Sequence, residues 1–372
     1  MTPEVPRVLQ ITAPGPYGGR ETVVADLSAA LHEAGHVVEV MAVLDRGTDP
    51  DLHPFVRSLL DQGVTVRSIV LPPRAYREEA RAIRAAIRDM GATVLHSHGY
   101  RTDVVGSIAL RRTACRFVST AHGFTGGGWK NRLYERLQAG AWRRSEAVIA
   151  VSDPLVDAIE GRGVDRRKIH LIPNAWRGDA LAMTREQARR RLEIEADARV
   201  VGWAGRLAAE KGPDVALETL ARTGDEGIQL HFVGEGRLRA ELEARAEELN
   251  LTHRVRWHGA IENAAVLFPA FDLLLVSSRT EGTPMVLFEA MTAGVPIVAT
   301  RVGGVPDVLT ESEALLAPSE DPVALARALD ASFTAPEEAR ARAEHARRRL
   351  RSRYAPGPWM EAHLALYREI GT

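Results

Sequence analysis

Short unbroken apolar runs alternate along this chain with stretches whose apolar residues recur at helical spacing. Val8-Leu9-Gln10-Ile11-Thr12 reads as a buried strand, and Ala13-Pro14-Gly15-Pro16-Tyr17-Gly18-Gly19 after it suits neither helix nor strand. Glu21 to Ala34 places Val24, Leu27, Ala30 and Leu31 on one helical face and stops at Gly35. Val37 to Val43 is the next strand. A strand, loop, helix, strand order is a βαβ unit and predicts a parallel sheet. Val64–Leu71, a helix over Arg77–Met90, Val94–His96, Arg116–Thr120 and Ala147–Val151 continue the series.

The pattern then restarts. Val200–Ala204 is a strand, Gly205 to Gly212 a second glycine-punctuated loop, and Pro213–Thr223 a helix. Gln229–Val233 is a strand ending in Gly234-Glu235-Gly236, and Val255–His258, Leu273–Val276 and Pro296–Ala299 follow. The reading is therefore α/β with two similar halves: residues 1–172, residues 173–354, and an amphipathic terminal segment over 355–372. Parallel open sheets bind ligands outside the carboxyl ends of their strands, so two of them facing each other predict a site in the cleft between.

Length and composition agree with this. The chain has 372 residues, enough for two cores; 45% are apolar and 26% charged, as in soluble globular proteins. The formal net charge of -1 gives no basic excess for a nucleic-acid partner. Cys115 is the single cysteine, which excludes an intrachain disulfide and a Cys-rich zinc site. Met1 to Gln10 does not read as a signal peptide, and no apolar run approaches the ~20 residues that span a bilayer. The expected location is cytoplasmic. Abundant Ala and Arg suggest a bacterial source of high GC content.

Chemistry concentrates in the loops. In Ser277 to Met291 the segment follows a strand, and a helix is expected to begin near Thr283 with Pro284 in its first turn. Gly282 allows close backbone approach, and the helix start suits an anionic diphosphate. Glu281 and Glu289 flank it, as acids able to accept hydrogen bonds from vicinal hydroxyls; alone, each reads first as a surface acid, and the joint pattern reverses that order. Arg206 and Lys211 supply two cations where the negative charge of a leaving diphosphate would grow, unless they are solvated surface charges. Gly18 and Gly19 allow backbone amides near phosphates, although turns use such pairs commonly. His122 at a strand end suits a sugar hydroxyl, with a structural hydrogen-bonded histidine as the competing reading. His96 and His98 lack a third metal ligand and read as structural or as cleft lining, and Asp49-Pro50-Asp51 as loop chemistry. The basic amphipathic stretch Trp129–Arg144, with Lys130, Arg132 and Arg136, reads as a packed helix with a solvated face, a membrane-surface helix being the lesser option.

With these residues in view, the chain resembles glycosyltransferase family 4, retaining enzymes of the GT-B fold, over nearly its whole length. Gly18-Gly19-Arg20-Glu21 is similar to the family's GGxE loop, Gly35-His36-Val37-Val38 to its GHxV entry and Ala121-His122-Gly123 to its His-Gly loop. Pro173-Asn174-Ala175 resembles its PNG linker, with Ala175 where the motif has glycine. Gly205-Arg206-Leu207 through Glu210-Lys211-Gly212 resembles GRL…EKG, and Glu281 to Glu289 matches EX7E.

The resemblance implies two Rossmann-like domains facing an interdomain cleft, acceptor bound by the first and a nucleotide sugar, UDP- or GDP-linked, by the second. It implies that Arg206 and Lys211 hold the diphosphate, Glu289 the ribose and Glu281 the transferred sugar. The amides of Gly282, Thr283, Pro284-Met285 and Val286 would meet sugar and phosphate, Gly234 the base, and His122 the reaction centre. It further implies no metal or cofactor, a leaving phosphate that deprotonates the acceptor, and a terminal helix crossing back to the first domain. An inverting relative would place a histidine near Arg20. Competing functions on this scaffold are a nucleotide-sugar epimerase or phosphorylase, or a non-catalytic nucleotide-sugar sensor.

Overall fold

The computed structural model describes residues 5–15, 18–111, 113–123, 129–178 and 183–371, and for 129–132 the backbone alone. The chain divides into two compact units, Met1–Arg177 with Ala355–Thr372, and Gly178–Tyr354. The units thus part five residues later than the 172/173 boundary read from sequence, and the terminal segment is grouped with the first.

The first unit holds β1 (Arg7–Thr12), β2 (Val37–Asp45), β3 (Thr65–Leu71), β4 (Val94–His98), β5 (Arg116–Ala121), β6 (Ala147–Ala150) and β7 (Ile169–Leu171). They form one sheet in the order β3-β2-β1-β4-β5-β6-β7, and every recorded pairing is parallel. The second holds β8 (Arg199–Ala204), β9 (Ile228–Val233), β10 (Val255–Trp257), β11 (Leu273–Val276), β12 (Ile297–Thr300) and β13 (Leu315–Ala317), ordered β10-β9-β8-β11-β12-β13, again parallel. Two strands escaped the sequence reading: β7 and β13, each three residues long and each the last strand of its sheet.

Both faces of each sheet are covered, which is why the strands are apolar throughout rather than alternating. On one face of the first sheet Leu9, Ile11, Met41, Leu95 and Phe117 pack on Ile83, Ile87, Met90 and Val105. On the other, Val40, Ala42 and Leu44 pack on Val24, Phe55, Val56 and Leu59. Each large side chain so buried contributes roughly 1.5–3 kcal/mol. Gln10 lies on the second face, opposite Ser28 of the helix Gly19–Glu33; that helix begins two residues before the expected Glu21, with Gly18 as its extended N-cap.

In each sheet the strand order reverses once, between β1 and β4 and between β8 and β11. At such switch points the connecting loops diverge to opposite faces and leave a crevice at the carboxyl ends. Nearly all the candidate residues sit on the loops after these four strands, or after their neighbours β5 and β9.

Candidate active site

In the second unit, the loop after β8 runs through Gly205, Arg206 and a short 3-10 turn, Ala209–Lys211, to Gly212. The loop after β11 carries Ser277 to Pro284. The two are tied together across the switch point. Backbone N–H groups of Arg279 and Thr280 donate to the Glu210 carbonyl at 2.9 and 3.4 Å, and Ser277 Oγ donates to the Gly212 carbonyl at 2.7 Å. Gly212 has φ +61, and a Cβ there would stand 2.1 Å from the Ser277 carbonyl oxygen, so only glycine permits the approach.

This interlock aligns the charges. Lys211 Nζ donates to both carboxylate oxygens of Glu281 at 2.7 Å, and Ser278 Oγ donates to Oε1 at 2.6 Å. The Glu281 side chain is 6% exposed and that of Lys211 28%, so the pair is desolvated enough for its geometry to matter. Gly303, at φ +49, presses against the Glu281 backbone, where a Cβ would meet the carbonyl oxygen at 1.8 Å; Gly304 N donates to the Gly282 carbonyl at 2.9 Å. Arg206 is more exposed and pairs with Glu210 at 2.8 Å. Gly234 approaches the Gly205 carbonyl, so β9's loop joins the same set.

The helix after this loop is Met285–Ala293. It starts later than expected: Pro284 is its extended N-cap rather than a first-turn residue, at ψ 114. Thr283 and Pro284 thus belong to the loop, and Met285 and Val286 open the first turn. Glu289, half-buried one turn further in, has its carboxyl raised by burial to about 7. The structure therefore brings Lys211 and Glu281 into contact, sets Gly282 on the same loop, and leaves Arg206 paired within its own loop.

The first unit assembles a different set at its own switch point. His122 follows β5, and its Nε2 lies 3.0 Å from His98 Nδ1 at the end of β4. His98 Nε2 is 2.9 Å from Gln10 Oε1 on β1. His96 Nδ1 meets the Tyr367 hydroxyl of the terminal helix Pro356–Gly371, and its Nε2 the Thr120 hydroxyl, both at 2.7 Å. Burial, then the charges of Arg20 and His363, hold His122 down to about 3, so it is neutral near neutral pH. Both nitrogens of His96 and of His98 are therefore engaged in hydrogen bonds. Gly18 caps its helix and Gly19 begins it, while Arg20 donates to Glu21 at 2.6 Å and to the Ala13 carbonyl at 3.0 Å.

Several contributors had no role of their own in the sequence reading. Glu210 and Gly303, which stand there only as members of motifs, and Ser278 position Glu281 and its loop. Gln10, an amide inside an apolar strand, carries the histidine pair and is the one of these whose type and place give a signal. Asp49 caps the turn Pro50–Leu52 by accepting from Asp51 N at 3.0 Å. No group of three His, Cys, Asp or Glu side chains among the described residues is placed to hold a metal ion. Among them, too, no helix is long and apolar enough to cross a membrane. On the helix Trp129–Trp142, Leu133, Tyr134 and Leu137 are exposed, while the side chains of Lys130 and Arg132 lie outside the described residues.

Comparison with known proteins converges on one class. The family model described as glycosyl transferases group 1 matches residues 184–349, and that of the glycosyl transferase 4-like domain residues 18–175. The chain is 30% identical to the D-inositol 3-phosphate glycosyltransferase of Xylanimonas cellulosilytica, across 95% of this chain and 91% of that one. It is 31% identical to the enzyme of the same name from Acidothermus cellulolyticus, across 91% and 84%. Among solved structures, Anabaena Alr3699/HepE in complex with UDP-glucose superposes with a TM-score of 0.84 at 20% identity, covering 97% of this chain and 98% of that one. Sucrose-phosphate synthase from Thermosynechococcus elongatus superposes with a TM-score of 0.82 at 22% identity, covering 98% and 99%. At such identities the structural likeness speaks for the fold.

Proposed function

Because this chain belongs to glycosyltransferase family 4, we propose that it moves a hexose from a UDP- or GDP-linked donor to a hydroxyl acceptor with retention of anomeric configuration. The observation that carries this reading is the Lys211–Glu281 pair held across the switch point of the second sheet, where a cation and a carboxylate share one loop set. In this scheme Lys211 and Arg206 bind the diphosphate, whose charge grows as its bond to the anomeric carbon breaks; fixed cations then favour the transition state over the ground state. Glu281, its carboxylate oriented by Lys211 and Ser278, accepts from hydroxyls of the transferred sugar. Glu289 takes the ribose, and the backbone of Gly282 to Val286 meets sugar and phosphate. The released phosphate oxygen takes the acceptor proton as the new glycosidic bond forms on the same face, so no protein base and no metal is needed. For the first unit, the resemblance gives His122, Gly18 and Gly19 a part in binding the reactants.

The curated relatives are named for D-inositol 3-phosphate, so a cyclitol phosphate is the first acceptor to try. The exposed Leu133, Tyr134 and Leu137 support a peripheral seat on an anionic membrane face, which flotation with anionic vesicles would test. The decisive experiment is transfer and donor hydrolysis by Lys211→Ala, Arg206→Ala and Glu281→Ala, with UDP- and GDP-hexoses. The product's anomeric coupling is read by NMR, in the presence and absence of chelator. Near wild-type turnover in all three variants overturns the residue roles; an inverted product or loss of activity with chelator overturns the mechanism.

A further inference from the structure

We infer that His122 is held as a single neutral tautomer with a bare Nδ1, and that Ser28, Gln10 and His98 are the positioning residues that set it. His122 then accepts a hydrogen bond from a substrate hydroxyl rather than donating one. This rests on the proposed reading only in giving His122 a part in binding the reactants; the tautomer itself follows from the hydrogen bonds of the first unit.

The chain of bonds starts in the helix Gly19–Glu33. Ser28 Oγ stands 2.7 Å from the Val24 carbonyl oxygen. Two oxygens at that separation need a proton between them, and the carbonyl has none to give, so the serine hydroxyl donates. Ser28 Oγ then offers only lone pairs, and the Gln10 group 2.9 Å away must be its NH2. That choice turns Oε1 of Gln10 toward His98 Nε2, which at 2.9 Å must carry a proton. A neutral imidazole has one N–H. His98 Nδ1 is therefore bare, and at 3.0 Å it accepts from His122 Nε2–H. His122 in its turn has its lone pair on Nδ1, which bonds to no other described residue.

Each link is one that pH does not disturb. Gln10 and Ser28 do not titrate, and both are fully buried. His98 is 1% exposed, and burial holds it well below 6.5, with the nearby His96, His122, His363 and Arg20 adding to the effect. His122, at about 3, stays neutral near Arg20 for the same reasons. So the usual ambiguity of histidine, which nitrogen bears the proton, is removed by a serine two helical turns inside the domain.

The consequence is a filter. A bare nitrogen welcomes an O–H and repels groups that only accept, such as an ether oxygen, a phosphate oxygen or a C–F bond. Nor does so weakly basic an imidazole serve as a proton carrier, which leaves that task to the departing phosphate.

The test is a long-range proton–nitrogen NMR spectrum of the full chain labelled with 15N-histidine, without donor. Resonances of the two residues are assigned from His122→Gln and His98→Gln. Both should show a protonated, pyrrole-type Nε2 and a pyridine-type Nδ1, unchanged across neutral pH. A protonated Nδ1 on either ring, or an averaged pair of nitrogens, overturns the inference. In Gln10→Leu and Ser28→Ala the single tautomer should give way to a mixture. Ser28→Ala puts a strong helix former into a helix, so it keeps the test alive should Gln10→Leu not fold. A pure Nε2–H tautomer in Ser28→Ala removes Ser28 from the scheme. Because no turnover is measured, an inactive protein with the expected spectrum would sink the proposed function alone. An active protein with a protonated His122 Nδ1 would sink only this inference.

Discussion

At the carboxyl end of the first sheet the converging side chains are neutral. His96, His98 and His122 are carried by Tyr367, Thr120 and Gln10, and the nearest cation, Arg20, is already matched by Glu21. At the same position in the second sheet, under the same strand order, Lys211, Glu281, Arg206 and Glu210 stand in ion pairs on loops locked by glycines. One topology thus supports two chemistries, because a switch point supplies a crevice and the loop residues decide what it holds. Fixed charge suits an anion whose charge changes during the reaction. A fixed pattern of neutral donors and acceptors suits hydroxyls, and it keeps its polarity as pH changes.

The largest effect should come from breaking the charged side of this comparison. Lys211→Ala is expected to lower transfer by roughly 10²–10³-fold, the cost of removing one donor aimed at developing charge. Glu281→Ala should cost a similar amount. Since the two side chains are in direct contact, the double variant should be little worse than the worse single one. Additive losses in steady-state kinetics would mean the pair does not work as a unit. Next comes the glycine lock. Gly303→Ala sets a methyl group against the Glu281 carbonyl, at φ +49, and should destabilise the protein by about 3 kcal/mol, seen as a lower denaturation midpoint. An unchanged midpoint would show that Gly303 does not press on the Glu281 backbone.

On the neutral side, Tyr367→Phe leaves the buried His96 Nδ1 without its partner and should cost about 1–2 kcal/mol by chemical denaturation. That bond also shows what could be read from sequence. The alternation of runs and stripes gave the two sheets, because burial on both faces writes itself into composition. The loops Gly205 to Gly212 and Ser277 to Glu289 were legible because glycine, charge and strand ends coincide there. Long-range partners were not. Tyr367 lies 271 positions from His96, and nothing local in either residue points to the other. Gly303 belongs to the run Gly303-Gly304-Val305-Pro306-Asp307, which the resemblance also covers, but nothing in that run says that it meets the Glu281 backbone. The helix start was misplaced by two residues for a simpler reason: Pro284 suits both a first turn and the extended residue before it, and only its ψ of 114 separates the two.

The smallest effect concerns the one site acid in the second unit whose charge is set by burial alone. Glu289 has an ordinary carboxyl value of 4.5, raised to about 7 in the fold. Between those values the folded chain holds a proton that the unfolded chain has released. Stability therefore falls as pH climbs through that window, and the penalty is complete above about 7. Glu289→Gln removes it, so the melting temperature of the variant relative to wild type should rise across the window and then level off. On the proposed reading, a ribose hydroxyl donates to the ionised acid. UDP should then bind wild type more tightly as pH rises towards about 7, by no more than about tenfold per pH unit, and level off above it, and the glutamine variant should lack this gain. Comparing the two proteins by calorimetry cancels the titration of the nucleotide's own phosphates. The neutral rim supplies the internal control, since Ser28→Ala should leave this pH slope as it is. Parallel binding curves for wild type and Glu289→Gln would show that the ribose does not meet this carboxylate.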